Sequence, residues 1–219
     1  KGVIGRIVSR VVPQEGEVAL EVGPGRGALT GKLLENLERL VVVEVDRALA
    51  AHLRRSMETP ALRVIEDDIL RLDLEQVRRE EKAERLLLVG NLPYNISAPL
   101  LFRLLEQRRQ LSRAVIMLQR EVAQRLTAGP ETKAYSTLSV FLGRWADIST
   151  VVQVSNRAFR PVPKVQSTVI EMVFRSKPRV EVRDEALFTR LVRAAFAQRR
   201  KMLRNALGVL GEDGGTAVG

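Results

Sequence analysis

The chain has 219 residues, which is enough for one large α/β domain and a small additional one. It contains no cysteine, which excludes disulfides, thiolate metal sites and cysteine nucleophiles, and its one histidine, His52, leaves no histidine cluster for zinc. The formal net charge of +10 favours a polyanionic partner, and no apolar run reaches the roughly 18 residues of a membrane span.

Strand-like apolar runs alternate with helical patterns along most of the chain. The predicted strands are 18–22, 40–45, 62–65 and 86–89, followed by further apolar runs at 114–118, 137–142 and 169–174. Helices are predicted over 28–37 and 48–57, and His52 is expected on the surface of the second. Repeated strand–helix units predict an α/β fold with a doubly wound, mainly parallel, Rossmann-like sheet. Ligands of such sheets bind beyond the carboxyl ends of the strands, so the residues that follow strands matter most.

The first predicted strand leads into a glycine-rich turn. Glu21 precedes Gly23, Gly25 and Gly27, and glycines allow the backbone to approach a ligand closely. Glu44 lies at the end of the next strand, where a carboxylate can bind ribose hydroxyls. The pattern predicts a cofactor that carries a nucleoside. It also satisfies the dinucleotide-binding fingerprint, and a merely tight turn is the alternative.

The third strand is followed by two acids, Asp67 and Asp68. One of them could accept a hydrogen bond from the amino group of an adenine, and a helix cap is the competing interpretation.

The fourth strand runs into the tetrapeptide Asn91, Leu92, Pro93 and Tyr94. An asparagine oxygen and a turn carbonyl can accept both hydrogens of a planar NH2 group and make its nitrogen more nucleophilic. Proline fixes φ and orients the preceding carbonyl, and a tyrosine can stack on a flat acceptor. The alternative is an ordinary turn with a core tyrosine. Four successive strand ends of this kind suit S-adenosylmethionine beside an amine better than they suit nicotinamide.

The last third of the chain carries an aromatic segment and a basic helix. Phe159 precedes two prolines and Lys164, which suits a wall that presents one ring to a base, although a rigid polyproline-like loop is the alternative. One long helix is predicted over 184–207, with an apolar stripe on one side. Its arginines predict phosphate contacts or a solvated surface, and Arg199, within the stripe, could extend its stem and pair with a carboxylate.

These segments resemble the ribosomal RNA adenine N6-dimethyltransferase family. The resemblance covers nearly the whole chain and is carried by 21–30, 43–46, 90–97, 118–122, 133–140, 159–167 and 196–205. The family's N-terminal Gly-Gln-Asn-Phe-Leu-like segment has no counterpart in the sequence, which also contains only the first helix of the family's C-terminal domain. The resemblance therefore implies an S-adenosylmethionine-dependent methyltransferase domain over 1–176, and the start of a helical RNA-binding domain, with a flexible tail, over 177–219.

The resemblance also implies roles for individual residues. The implied cofactor-binding residues are Glu21, Gly23, Gly25, Gly27, Glu44, Asp68, Ile69 and Asn91. The implied catalytic residues, which position and stack on the target adenine, are Asn91, Leu92, Pro93, Tyr94 and Phe159. The implied RNA-binding residues are Lys164, Arg190, Arg193, Arg199, Arg200, Lys201 and Arg204. No metal is implied.

The expected substrate is a pair of adjacent adenines in the 3′-terminal hairpin of small-subunit rRNA, each methylated twice during ribosome biogenesis. The expected partner is the immature small ribosomal subunit, without a membrane, and the protein is expected to be monomeric. The absence of cysteine and of a visible signal peptide predicts a cytoplasmic location, or an organelle matrix if a targeting segment has been removed.

Several alternatives remain at this level. A large-subunit rRNA methyltransferase would share the fold, but Leu92 is unlike that sister family. A non-catalytic ribosome-assembly factor would not need Gly23, Glu44, Asp68 and Asn91. A nicotinamide dehydrogenase leaves the tetrapeptide unexplained, and methylation of DNA or of glutamine makes the net charge less expected.

Overall fold

The structure is a computed structural model, and it describes residues 2–93, 95–158, 162 and 165–197. Within them seven strands form one sheet. The strands are β1 (Glu17–Val22), β2 (Leu40–Glu44), β3 (Leu62–Glu66), β4 (Arg85–Asn91), β5 (Leu111–Gln119), β6 (Ala146–Val154) and β7 (Ser167–Phe174). The α-helices are α1 (Val3–Val8), α2 (Ala28–Leu34), α3 (Arg47–Ser56), α4 (Leu74–Glu80), α5 (Ser97–Glu106), α6 (Arg120–Thr127), α7 (Thr137–Trp145) and α8 (Glu185–Ala197).

The strand order is β3-β2-β1-β4-β5-β7-β6. The pairs from β3 to β5 are parallel, whereas β7 is antiparallel to both of its neighbours. This confirms the predicted doubly wound, mainly parallel, Rossmann-like sheet. The strand order reverses between β1 and β4, and ligands of such sheets bind at this switch point.

The core lies on both faces of the sheet. Leu20 and Val22 of β1 belong to the apolar cluster on one face, and Ala19 belongs to the cluster on the other. β2 is buried along its whole length and β4 from Leu86 to Gly90. Burial on both faces explains why these strands are continuous apolar runs rather than alternating ones.

Two predicted elements differ from those observed, and one observed strand was not predicted. The helix predicted over 28–37 ends at Leu34. The run 137–142 is not a strand but the first part of α7, which begins at a capping box formed by Ser136 and Ser139. The edge strand β6 was not predicted, because polar residues interrupt it and its burial is irregular.

The long C-terminal helix is described from Glu185 to Ala197, and the rest of the predicted span lies outside the described residues. Its first turn is joined to α7 by Arg144, whose side chain is 7% exposed. The two terminal nitrogens of Arg144 donate to the two carboxylate oxygens of Glu185 at 2.7 and 2.8 Å, and Nε donates to the carbonyl of Val180 at 2.7 Å. The guanidinium also faces the rings of Trp145 and Phe188, at 5.2 and 5.1 Å. Among the helices described, none is long and apolar enough to cross a bilayer.

Candidate active site

Four strand ends meet at one edge of the sheet. Val22 pairs with Gly90, so Gly23 and Asn91 follow side by side on β1 and β4. The Gly23 N–H donates to the carbonyl of Val43 at 3.0 Å, which places the glycine turn beside the end of β2. The structure therefore brings the glycine turn, Glu44 and Asn91 to the crevice at which this fold binds ligands.

The three glycines of the turn have different surroundings. Gly23 and Gly25 have φ values of 64° and 58°, and a Cβ added at either position would meet no atom within 4 Å. Gly27 has a φ of 83°, but a Cβ there would lie 2.3 Å from Cε of Met57 and 2.9 Å from Cδ2 of Leu53. The first two glycines thus leave open backbone for a ligand, and the third permits close packing of α3.

Glu44 connects the glycine turn to the start of α3. It is 6% exposed, and its two carboxylate oxygens accept hydrogen bonds from the Gly25 N–H at 3.1 Å and from the Asp46 N–H at 3.0 Å. A carboxylate has about four lone-pair sites, so it can accept two ligand hydroxyls in addition to these two backbone donors. Glu44 therefore holds the turn in shape and can still bind a diol.

Glu21 lies beneath the first turn of α2 and is only 2% exposed. Its Oε2 atom and the buried hydroxyl of Thr30, which lies next to Glu21 on α2, make no hydrogen bond of good geometry. Burial raises the pKa of Glu21 to about 7; the Thr30 hydroxyl partly offsets the rise, and the nearby charge of Glu44 adds to it. A buried carboxyl oxygen without a partner beside the glycine turn fits a site that receives a positively charged group.

The geometry of Asp68 is compatible with both roles suggested by the sequence, a cap and an acceptor for an adenine amino group. Its Oδ1 accepts a hydrogen bond from the Leu70 N–H at 2.9 Å, as a turn cap does. Its Oδ2 lies 4.0 Å from Nε of Arg71, and the side chain is 38% exposed, so this oxygen can accept a further donor. Ile69 is 5% exposed and packs in the core, which leaves little of its side chain for a ligand.

The Asn91 side chain projects from a segment whose backbone is fixed on both sides. The Leu92 N–H donates to the carbonyl of Met117 at 3.2 Å, and the Pro93 carbonyl accepts from the Ser97 hydroxyl at 3.1 Å. Gly90 and Leu92 are buried, whereas Asn91 is exposed, and its side chain makes no hydrogen bond to any other described residue. Its amide is therefore available to a ligand, next to the open backbone of Gly23.

Two residues near the edge were not singled out from the sequence. Val45 is 71% exposed, whereas its apolar run predicts the end of a buried strand. The signal that could have revealed this exposure is Asp46, which caps α3, because the strand must end before a helix cap. Arg120, which follows β5, is held by Gln166: its N–H donates to the Gln166 carbonyl at 2.9 Å and its Nη1 to Oε1 at 2.7 Å.

Seven of the predicted residues lie outside the described residues: Tyr94, Phe159, Lys164, Arg199, Arg200, Lys201 and Arg204. Of the predicted RNA-binding residues, Arg190 and Arg193 are described, and both are exposed on α8.

Comparison with known proteins identifies the family to which the chain belongs. Residues 1–218 match the family described as ribosomal RNA adenine dimethylase. The ribosomal RNA small subunit methyltransferase A of Geobacter sulfurreducens is 46% identical over 214 residues, which cover 96% of this chain and 78% of that protein.

Two solved structures resemble the whole fold. A dimethyladenosine transferase from Plasmodium falciparum superposes with a TM-score of 0.75 at 26% identity, covering 94% of this chain and 72% of that one. The 23S rRNA methyltransferase ErmE gives a TM-score of 0.74, also at 26% identity, covering 94% of this chain and 81% of that one. The match over nearly the whole chain shows that it belongs to the ribosomal RNA adenine dimethylase family.

Proposed function

We propose that the chain transfers methyl groups from S-adenosylmethionine to N6 of two adjacent adenines in the 3′-terminal hairpin of small-subunit rRNA. The family and its named relatives support an S-adenosylmethionine-dependent adenine dimethylase of small-subunit rRNA. The observation that carries the proposal is the exposed Asn91 amide beside the open backbone of Gly23. The Asn91 side chain, which can accept a hydrogen bond from an amine, thus lies next to the turn that we assign to the cofactor.

The cofactor residues divide into those that contact the ligand and those that support them. S-adenosylmethionine, when bound, supplies an electrophilic methyl group on a positively charged sulfur. We assign its methionine part to Gly23 and Gly25, its ribose hydroxyls to Glu44, and its adenine amino group to Oδ2 of Asp68. The exposed side chain of Val45 then covers a face of the adenine.

The remaining predicted cofactor residues support the site without touching the ligand. Gly27 lets α3 pack against the turn, Ile69 packs in the core under the adenine-binding loop, and Glu21 faces the turn from its buried position.

The acceptor residues prepare the amine. Oδ1 of Asn91 and the carbonyl of Leu92 accept the two N6 hydrogens, which draws the lone pair of N6 out of the adenine ring and towards the methyl group. Pro93 fixes the backbone, and Tyr94 and Phe159 hold the flipped base between two rings. N6 releases its proton to water once it carries the new methyl group. Catalysis then rests on positioning and electrostatics.

The basic residues supply the RNA contacts. Arg190 and Arg193 present positive charge on α8. We assign contact with RNA phosphates to these two residues and to Lys164, Arg199, Arg200, Lys201 and Arg204. We propose that 1–176 is the methyltransferase domain and 177–219 the start of the RNA-binding domain. The partner is the immature small ribosomal subunit, and the protein acts as a cytoplasmic monomer.

A large-subunit rRNA methyltransferase is the second candidate, because ErmE superposes as well as the dimethyladenosine transferase does. The named relatives at 46% identity act on the small subunit, and this favours the small-subunit assignment.

The test uses immature small subunits and labelled S-adenosylmethionine, followed by mapping of the modified bases. We expect label on two adjacent adenines of the small-subunit rRNA. Asn91→Ala should lower kcat at least roughly 100-fold, which is the usual loss when a positioning hydrogen-bond group is removed. Asn36→Ala is the matched control, since Asn36 is an exposed asparagine that only caps the end of α2.

Two outcomes would contradict the proposal. Label on large-subunit rRNA alone would assign the chain to the sister activity. Absence of label, with subunit binding that Asn91→Ala does not alter, would indicate an assembly factor.

A further inference from the structure

The buried carboxyl group of Glu21 performs no task in the mechanism above. Oε2 of Glu21 and the hydroxyl of Thr30 are both buried, two residues before the glycine turn and in the first turn of α2, and neither makes a hydrogen bond of good geometry. Natural proteins rarely leave buried polar atoms unsatisfied, and a carboxylate that stays ionised in such a place is costly. The group therefore requires either a proton or a positive charge.

The groups that face Glu21 in the described residues do not provide a positive charge. From β2 the charged neighbour is Glu44, which repels a second carboxylate. From β4 the opposing residue is the apolar Val89, and α2 contributes the neutral hydroxyl of Thr30. Burial and the charge of Glu44 both favour the protonated form, consistent with a pKa of about 7.

We propose that Glu21 carries a proton in the free protein and releases it to solvent when S-adenosylmethionine binds. This inference rests on the proposed function, since it requires that the glycine turn receives this cofactor. The donor brings an ammonium and a sulfonium, and their field replaces the proton as the charge that balances the carboxylate. S-adenosylhomocysteine lacks the methyl group and hence the sulfonium charge, so it stabilises the ionised Glu21 less.

Glu21 therefore distinguishes the methyl donor from the product, S-adenosylhomocysteine. Because binding releases a proton, the affinity for the donor rises with pH until Glu21 is already ionised in the free protein. The affinity for the product rises less. The ratio of the two dissociation constants therefore changes with pH, in favour of the donor.

The test is calorimetric titration of the protein with each cofactor between pH 5.5 and 7.5, below the ordinary pKa of an α-ammonium group. Each titration is repeated in two buffers of different ionisation enthalpy, which counts the protons released. For a group of pKa about 7, we expect the donor to bind roughly eightfold more tightly at pH 7.5 than at pH 6.0. Proton release should be smaller with S-adenosylhomocysteine.

Two variants identify the group that titrates. Glu21→Gln should abolish both the proton release and the pH dependence. His52→Gln, which removes the one histidine of the chain from the exposed face of α3, should leave them unchanged. Even if Glu21→Gln does not fold, the wild-type buffer comparison decides whether S-adenosylmethionine releases a proton and S-adenosylhomocysteine releases less.

The outcomes separate this inference from the proposed function. Tight binding of S-adenosylmethionine without proton release would overturn the inference alone, as would a pH dependence that persists in Glu21→Gln. Equal proton release for the two cofactors would overturn the discrimination between them. Failure to bind S-adenosylmethionine at any pH would instead overturn the proposed function.

Discussion

At the scale of single residues, Glu21 lowers the stability of the fold in a pH-dependent way. Its pKa is about 7 in the folded protein and about 4.5 in the unfolded chain. Between these values the folded protein holds a proton that the unfolded chain has lost, so the free energy of unfolding decreases as pH rises from about 4.5 to 7. The loss is then complete and constant above that range.

Glu21→Gln is therefore expected to stabilise the protein at pH 8 by roughly 2 to 3 kcal/mol, and to change it little at pH 4.5. Urea unfolding at the two pH values measures the difference. Glu15→Gln, which changes an exposed carboxylate, should have little effect at either pH. A gain of the same size at both pH values would contradict the argument from ionisation.

Candidate site residues could be proposed from the sequence, but their charge states could not. Gly23, Glu44 and Asn91 could be found because each follows a recognisable strand, and residues after parallel strands meet at one edge. The protonation of Glu21 depends on how closely Glu44 and α2 approach it, which the spacing does not give. The exposure of Val45 was missed because the apolar run does not reveal that the strand ends at Glu44.

At the scale of secondary-structure elements, β1 and β4 must approach each other closely for the two halves of the site to meet. A Cβ added at Gly90 would lie 2.6 Å from the carbonyl oxygen of Val22 and 3.3 Å from its Cβ. Since the first of these atoms belongs to the backbone, the two strands would have to separate. Their ends carry the glycine turn and Asn91, so the separation would alter both the cofactor and the acceptor positions.

Gly90→Ala is expected to destabilise the protein by roughly 1 to 3 kcal/mol and to weaken binding of S-adenosylmethionine. Gly143→Ala is the matched control, because Gly143 lies within α7 and its added Cβ would meet no atom within 4 Å. It should stabilise the helix by roughly 0.5 to 1 kcal/mol. Urea unfolding and calorimetric titration of both variants test the pair, and the same sign for both would contradict the geometric argument.

The elements that were predicted correctly from the sequence are those that are buried to the same degree on both faces. β2 and the middle of β4 are buried on both faces and therefore read as continuous apolar runs. The first part of α7 gives a similar run, because this helix is buried on several sides, and only the serine cap distinguishes it from a strand. The edge strand β6 faces several environments, and so its sequence has no simple period.

At the scale of the whole molecule, a buried guanidinium on α7 helps to hold α8 in place, together with the contact between the rings of Phe141 and Phe188. Arg144 is 7% exposed, whereas the Glu185 side chain that it holds is 64% exposed, so most of the cost of losing the pair falls on the arginine. The hydrogen bonds from Arg144 hold the pKa of Glu185 below its ordinary value. This contribution to stability is therefore present at neutral pH and is lost as acid protonates Glu185.

Glu185→Gln is expected to leave the buried Arg144 without its counter-charge and to lower the free energy of unfolding by roughly 1 to 3 kcal/mol. If Arg190 and Arg193 contact rRNA from α8, the changed orientation should also lower kcat/KM for small subunits severalfold. The dissociation constant for S-adenosylmethionine should not change, because the cofactor edge lies on β1, β2 and β4. Glu181→Gln, in the exposed linker before α8, controls for loss of a carboxylate in this region. Equal effects of the two substitutions would show that Arg144 does not set the position of the helix, and a weaker affinity for the cofactor would show that the joint acts on the sheet itself.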